Sequence, residues 1–157
     1  MYLSEVTKII NAAPPFDANT GGLDGSYVDM KNYKHLTAII QIGASAGAAP
    51  AVTVEKSATG SGTGTAIAFK LRECSTAMTA ASGDLLGTLA VRAVGGFGLT
   101  TTDNTFAVVE LDVGELGVGF NYVRVRLSDP GAACLASMSY VLSGARFQES
   151  PEQAIKI

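Results

Sequence analysis

Tryptophan is absent from this 157-residue chain, histidine occurs once, cysteine twice, and charged residues make up only 16% of the whole. Each scarcity removes a class of function. A carbohydrate site wants exposed aromatic faces for stacking, and here only scattered tyrosines could supply them. The lone imidazole, His35, cannot build a metal centre by itself, and Cys74 and Cys134 lack the paired spacing of zinc ligands. With 11 basic and 14 acidic side chains the formal net charge is -3, so the positive excess that neutralises phosphates is missing and nucleic acid is not an expected partner. No apolar run approaches the roughly 20 residues of a membrane-spanning helix, and the opening MYLSEVTKII has no basic region followed by a long apolar core. No membrane association and no secretory leader are expected. Synthesis in a cytoplasm in turn predicts free, buried thiols at Cys74 and Cys134.

What the chain has in quantity is small residues and period-two alternation. Gly, Ala, Ser and Thr are abundant, which predicts a small, weakly polar exterior suited to packing against neighbours. The length suits one domain that buries roughly two thirds of its unfolded surface. Residues 1–26 read as an N-terminal arm: Val6, Ile9 and Ile10 allow a helical turn or a short edge strand, but Pro14, Pro15 and the Gly21, Gly22, Gly25 cluster end any longer element. Residues 27–147 read as a β-sandwich domain, and residues 148–157 as a C-terminal tail with apolar Ile155 and Ile157 and no periodic element to bury them.

Within the domain, Leu36 to Ile42 is apolar on both faces, as a central strand is. Val52 and Val54 point inward from the next strand. Ile67, Phe69 and Leu71 continue the pattern as one half-buried strand that closes a hairpin with it. The segment from Cys74 to Asp84 reads as a loop, and Leu85–Val94 as a strand with Leu89 and Val91 on one face. Ala107, Val109 and Leu111 alternate with Phe106, Val108 and Glu110. Val123, Val125 and Leu127 alternate with Tyr122, Arg124 and Arg126, and Ala133–Leu142 forms the last strand. About eight strands with short turns and no amphipathic helix of normal length predict an all-β, antiparallel β-sandwich or jelly-roll-like domain with extended arms.

The apparent reaction motifs fail on context. Gly43-Ala44-Ser45-Ala46-Gly47 has the spacing of a nucleophile elbow, yet Pro50 and a strand follow where a helix is needed, and the only histidine precedes the serine. Gly60, Gly62 and Gly64 lack the Gly-Lys-Ser/Thr and the helix of a phosphate-binding loop. Asp17, Asn19 and Gly22 echo half a calcium loop, but its twelfth position is Val28. No catalytic, cofactor or metal residue is therefore assigned. His35, beside Lys31 and Lys34, reads as a polar surface or interface residue. Tyr122, Arg124 and Arg126, with Lys70 and Arg72 on another strand, read as an outward basic row that could meet an acidic surface.

Three stretches carry a family resemblance: Tyr27-Val28-Asp29-Met30-Lys31-Asn32-Tyr33-Lys34-His35-Leu36-Thr37, the Val52-Thr53-Val54 strand with its Gly62-Thr63-Gly64 loop, and Tyr140-Val141-Leu142-Ser143-Gly144-Ala145-Arg146-Phe147. Together they resemble small virion proteins of tailed bacteriophages, in which such an opening follows a loose leader and the chain closes with a strand and a short tail. The resemblance implies a non-enzymatic structural part of the particle, a capsid decoration or cement protein on the virion surface, made in the host cytoplasm. Its implied partners are the major capsid protein and neighbouring copies of itself, in a homo-oligomer for which a trimer at a local three-fold axis is the expected form. On this reading Tyr2, Leu3, Val6, Ile9, Ile10 and Phe16 of the arm and Ile155 and Ile157 of the tail reach adjacent subunits, and His35, Tyr122, Arg124 and Arg126 make contacts from the body. The alternatives are a glycan-binding or host-adhesion module, and a component of the tail or head-to-tail connector.

Overall fold

The computed structural model describes residues 3–76 and 85–146. Among them, one helical turn (Leu3–Val6) precedes twelve strands: β1 (Lys8–Asp17), β2 (Leu23–Asp24), β3 (Val28–Asp29), β4 (His35–Ser45), β5 (Ala51–Ser57), β6 (Thr65–Ile67), β7 (Phe69–Cys74), β8 (Ala90–Arg92), β9 (Phe97–Gly98), β10 (Thr105–Asp112), β11 (Tyr122–Leu127) and β12 (Cys134–Ser143). One six-stranded sheet, sheet A, runs β1-β12-β4-β10-β7-β8; the other, sheet B, runs β2-β11-β5-β6, with β3 also on β11 and β9 on β5. All pairings are antiparallel. The chain is an all-β sandwich.

The alternation seen in the sequence builds the core. Leu36, Ala38, Ile40 and Ile42 of β4 are buried, and β4 lies between β12 and β10 in the middle of sheet A. Val52, Val54, Val123, Val125 and Leu127 face them from sheet B in one continuous apolar cluster. Cys74 and Cys134 are both buried, and the Cys74 thiol donates to the Thr76 carbonyl at 3.4 Å.

Three expectations are corrected. Ile67, Phe69 and Leu71 do alternate inward, but not on one strand: β6 pairs with β5 in sheet B, and after Ala68 the chain crosses to pair with β10 and β8 in sheet A. Period two records burial, and a strand that turns a sandwich corner keeps that period while changing sheets. The strand expected over Leu85–Val94 shrinks to Ala90–Arg92 at the edge of sheet A, where Ala90 and Arg92 lie opposite Leu71 and Phe69, and Leu89 and Val91 are exposed. Among the described residues no strand pairs beyond β8. The supposed arm is in large part tied into the sheets: β1 pairs with β12 from Lys8↔Leu142 to Asp17↔Leu135, with register shifts on either side of Ala13. Pro14 and Pro15 fall in the irregular half of this edge strand, where a missing N–H disrupts no ladder. The tail 148–157, and most of the loop expected from Cys74 to Asp84, lie outside the described residues.

One side chain ties the layers together. β2 meets β11 at Arg126 and Leu127, and β3 meets it at Tyr122 and Val123, so the edge ladder is interrupted at Val125 where the chain bends through Gly25. Into that gap comes Tyr140 of β12, wholly buried, whose hydroxyl accepts the Val125 N–H at 2.8 Å. Gly25 N–H donates to the Val125 carbonyl at 2.9 Å. A Cβ on Gly25 would stand 2.2 Å from the Tyr140 hydroxyl, so the bend has room for glycine alone.

Candidate functional site

The inward faces of both sheets are consumed by the core, which leaves the outer faces and loops for recognition. The two outer faces differ in kind.

On sheet B the outward residues form a closed charge network. Arg124 Nε and Nη2 donate to Glu55 Oε2 at 2.9 and 2.8 Å, and Arg126 Nη1 donates to Glu55 Oε1 at 2.8 Å. Arg126 Nε donates to Asp24 Oδ1 at 2.6 Å. Glu55 is only 7% exposed; burial pushes its carboxyl up, but the hydrogen bonds and charges of Arg126 and Arg124 outweigh this and hold it below its ordinary value. The Arg124 guanidinium also lies 4.6 Å from the centre of the Tyr27 ring. The loop after β5 covers the aromatic end of this face: Tyr27 Oη donates to the Gly62 carbonyl at 3.3 Å, and a Cβ on Gly60 would stand 2.6 Å from the Tyr122 ring. The expected basic row is thus neutralised within the molecule. Lys70 and Arg72, placed with it in the sequence reading, project from sheet A instead, because β6 and β7 belong to different sheets.

On sheet A the outer face has an apolar middle. Ile39 of β4 lies opposite Val108 of β10 and Ser139 of β12, and Gln41 lies opposite Phe106 and Ser137. Ile39, Gln41, Ile42, Asn104, Thr105 and Phe106 line an open depression of ≈ 560 Å³. Ser137 Oγ donates to Gln41 Oε1 at 3.2 Å, which fixes the amide at its rim. Beyond it, Leu135 is 51% exposed, and at the β1 edge Ile9 and Phe16 are 55% and 46% exposed.

At the other end of the same face stands His35. Its Nε2 is 2.6 Å from Glu110 Oε2 and its Nδ1 2.8 Å from Asp112 Oδ1. Thr37 Oγ1 donates to the same Glu110 oxygen at 2.9 Å, and Lys70 Nζ lies 3.1 Å from Glu115 and 3.6 Å from Asp112. No cluster of His, Cys, Asp and Glu among the described residues has the geometry of a metal site, and none of their helices is long and apolar enough to cross a membrane.

The sequence-predicted contact residues therefore scatter. Ile9 and His35 border the outer face of sheet A; Phe16 is exposed at the β1 edge in register with the inward Ala136; Leu3 and Val6 are exposed in the turn before β1; Ile10 packs against the core opposite Tyr140. Tyr122, Arg124 and Arg126 lie on sheet B, engaged as above. Tyr2, Ile155 and Ile157 lie outside the described residues. Sequence reasoning missed Ile39, Phe106 and Leu135, whose outward position on mixed strands was visible but whose convergence depends on strand order. It also missed Asp24, Glu55, Glu110 and Asp112, which stand beside their partners only once the cross-strand register is known.

The fold is an antiparallel β-sandwich with one outer face whose charges are paired within the molecule and one with an apolar middle. No protein family and no curated protein matches the chain. Among solved structures it is similar to the SPBc2 prophage-derived protein YomS, at 13% sequence identity over 87% of this chain and 93% of that one, with a TM-score of 0.46.

Proposed function

We propose that this chain is a non-enzymatic structural protein of a tailed-phage virion, a capsid decoration protein that binds the major capsid protein lattice and neighbouring copies of itself on the particle surface. The observation that carries this reading is the difference between the two outer faces. Sheet B satisfies its charges internally, while sheet A presents Ile39 and Phe106 around an open depression, with Leu135 exposed on β12 and Ile9 and Phe16 exposed at the β1 edge. The family resemblance of the segments around Tyr27–Thr37 and Tyr140–Phe147 supplies the particle. A repeated lattice suits such a surface, because each copy adds modest contact area and multivalency supplies the remainder. A glycan-binding role finds less support, since Tyr33 and Tyr140 are buried and Tyr27 and Tyr122 lie under the glycine loop rather than forming an open platform.

Ile9→Asp, Phe16→Asp and Leu135→Asp test the reading. Each replaces an exposed apolar side chain, so fold stability should move by no more than about 0.5 kcal/mol. Co-sedimentation with shells lacking this protein should weaken by about tenfold or more if the residue anchors the contact, the equivalent of about 1.4 kcal/mol. Undiminished binding by all three variants would remove sheet A from the interface. Cryo-electron microscopy placing the chain at the tail or connector would move it off the capsid altogether.

A further inference from the structure

His35 is the only histidine in the chain, and both of its ring nitrogens are spoken for by carboxylates on one neighbouring strand. A neutral imidazole has one N–H and one lone pair, so it can donate to one of these carboxylates but must point a lone pair at the other. Only the imidazolium donates in both directions. The surrounding elements frame that cation: Glu110 and Asp112 from β10, Lys70 from β7, Glu115 from the turn Val113–Leu116, the preceding Lys34, and on β12 the uncharged Ser143 in register with His35. Three acidic groups face two basic ones besides the imidazole.

The same corner gathers several backbone connections. Lys34 N–H reaches the carbonyls of Ser143 and Gly144, both at 3.1 Å, Val113 N–H donates to Lys34 O at 2.9 Å, and Arg146 N–H donates to Asn32 O at 2.9 Å. The start of β4, the end of β10 and the chain leaving β12 therefore meet beside one imidazole.

We propose that His35 is held as an imidazolium between Glu110 and Asp112 and acts as a pH-sensitive latch on this corner, so that loss of its proton releases the Lys34–Val113 and Asn32–Arg146 connections. Deprotonation leaves one nitrogen lone pair within 2.8 Å of a carboxylate oxygen, which turns an attraction into a repulsion without moving an atom. Desolvation pulls the imidazole down, but the hydrogen bonds of Asp112 and Glu110, with their charges, more than reverse this and raise it above its ordinary 6.5. A raised value means the latch is fully closed below about 6.5 and opens as the pH climbs through the folded-state midpoint.

The single histidine gives an unobscured probe. Long-range proton–nitrogen correlation spectra of the intact chain should show both imidazole nitrogens protonated below pH 6.5, with a titration midpoint above 6.5. Glu110→Gln and Asp112→Asn should each lower that midpoint. Hydrogen exchange at the Val113 and Arg146 amides, corrected for intrinsic pH dependence and referred to the Tyr140 amide in the core, should accelerate across the same titration. A His35→Gln variant should lose that pH dependence. A single neutral tautomer predominating at pH 6.5, which is to say a midpoint at or below 6.5, would overturn the cationic assignment in the wild-type protein without recourse to any variant. A raised midpoint with unchanged protection at both amides would overturn the latch.

Discussion

Tyr140→Ala is expected to destabilise the sandwich by about 3–5 kcal/mol, the range for removing a large buried ring from a packed core. Tyr140→Phe, which keeps the ring, should still cost about 1–3 kcal/mol, because the Val125 N–H is left in the interior with no acceptor. The two effects separate cleanly in urea denaturation. The alanine variant loses packing and a hydrogen bond, and the phenylalanine variant loses the bond alone. Gly25→Ala should behave like an overpacked core, because its added methyl would stand 2.2 Å from the Tyr140 hydroxyl and 2.8 Å from the Val125 carbonyl, neither of which can retreat cheaply. About 1–3 kcal/mol is the usual cost of such crowding. The diagnostic result is the double variant. With the hydroxyl gone, Gly25→Ala in a Tyr140→Phe background should cost less than in the wild type. Strict additivity would mean that the methyl is opposed by the backbone and not by the phenol.

The same region marks where sequence stops informing. Tyr140 lies in the strand that the sequence places over Ala133–Leu142, and it is buried there with Met138 and Leu142. That its hydroxyl would complete a ladder in the opposite sheet was not legible, because the bond joins residues from two layers and depends on a bend at Gly25. The inward faces of β4, β10 and β11 were readable for a simple reason: burial on one side of a strand writes itself into every second residue. Strand order leaves no such trace. Hence Ile67 and Phe69 fit one strand on paper but serve two sheets in space, and Lys70 was grouped with Arg124 although the two lie on opposite exteriors. The prolines of β1 misled for a related reason. Pro14 and Pro15 forbid a central strand but are tolerated in an edge strand with shifted register, and edge or centre is again a matter of order. The candidate site suffered most, since an outer face is a set of residues drawn from adjacent strands, and adjacency is what one sequence does not encode.

Glu55 carries the second large effect. It is an outward residue of β5 beside the inward Val54, yet it is 7% exposed because Arg124 and Arg126 from β11 close over it. Glu55→Ala leaves the Arg124 guanidinium, 14% exposed, without its principal partner. Removing one member of a buried pair costs about 3–5 kcal/mol, and the partial exposure of Arg126 and its second bond to Asp24 place the expected loss near the lower end, about 3 kcal/mol. Replacing Glu55 and Arg124 together by leucine should recover much of that loss, since it removes the stranded charge along with its cause; a double variant no more stable than Glu55→Ala would show that packing, not charge, holds this face. The pH dependence supplies an independent check with a definite sign. Glu55 is depressed in the folded state, so its contribution is fully present above its ordinary value of 4.5 and is lost as pH falls through the lower folded one. Glu55→Gln should therefore flatten the acid limb of the stability profile and leave its alkaline limb unchanged. His35 acts on the alkaline limb, together with Cys134 and Tyr140, which burial also raises: its contribution is lost in the opposite direction, as pH rises through a value above 6.5. Two variants on opposite faces of the sandwich should thus each flatten one limb, Asp17 and Asp112 keeping the remainder of the acid one, and a Glu55→Gln variant that altered the alkaline limb would mean that the two networks communicate through the core between them.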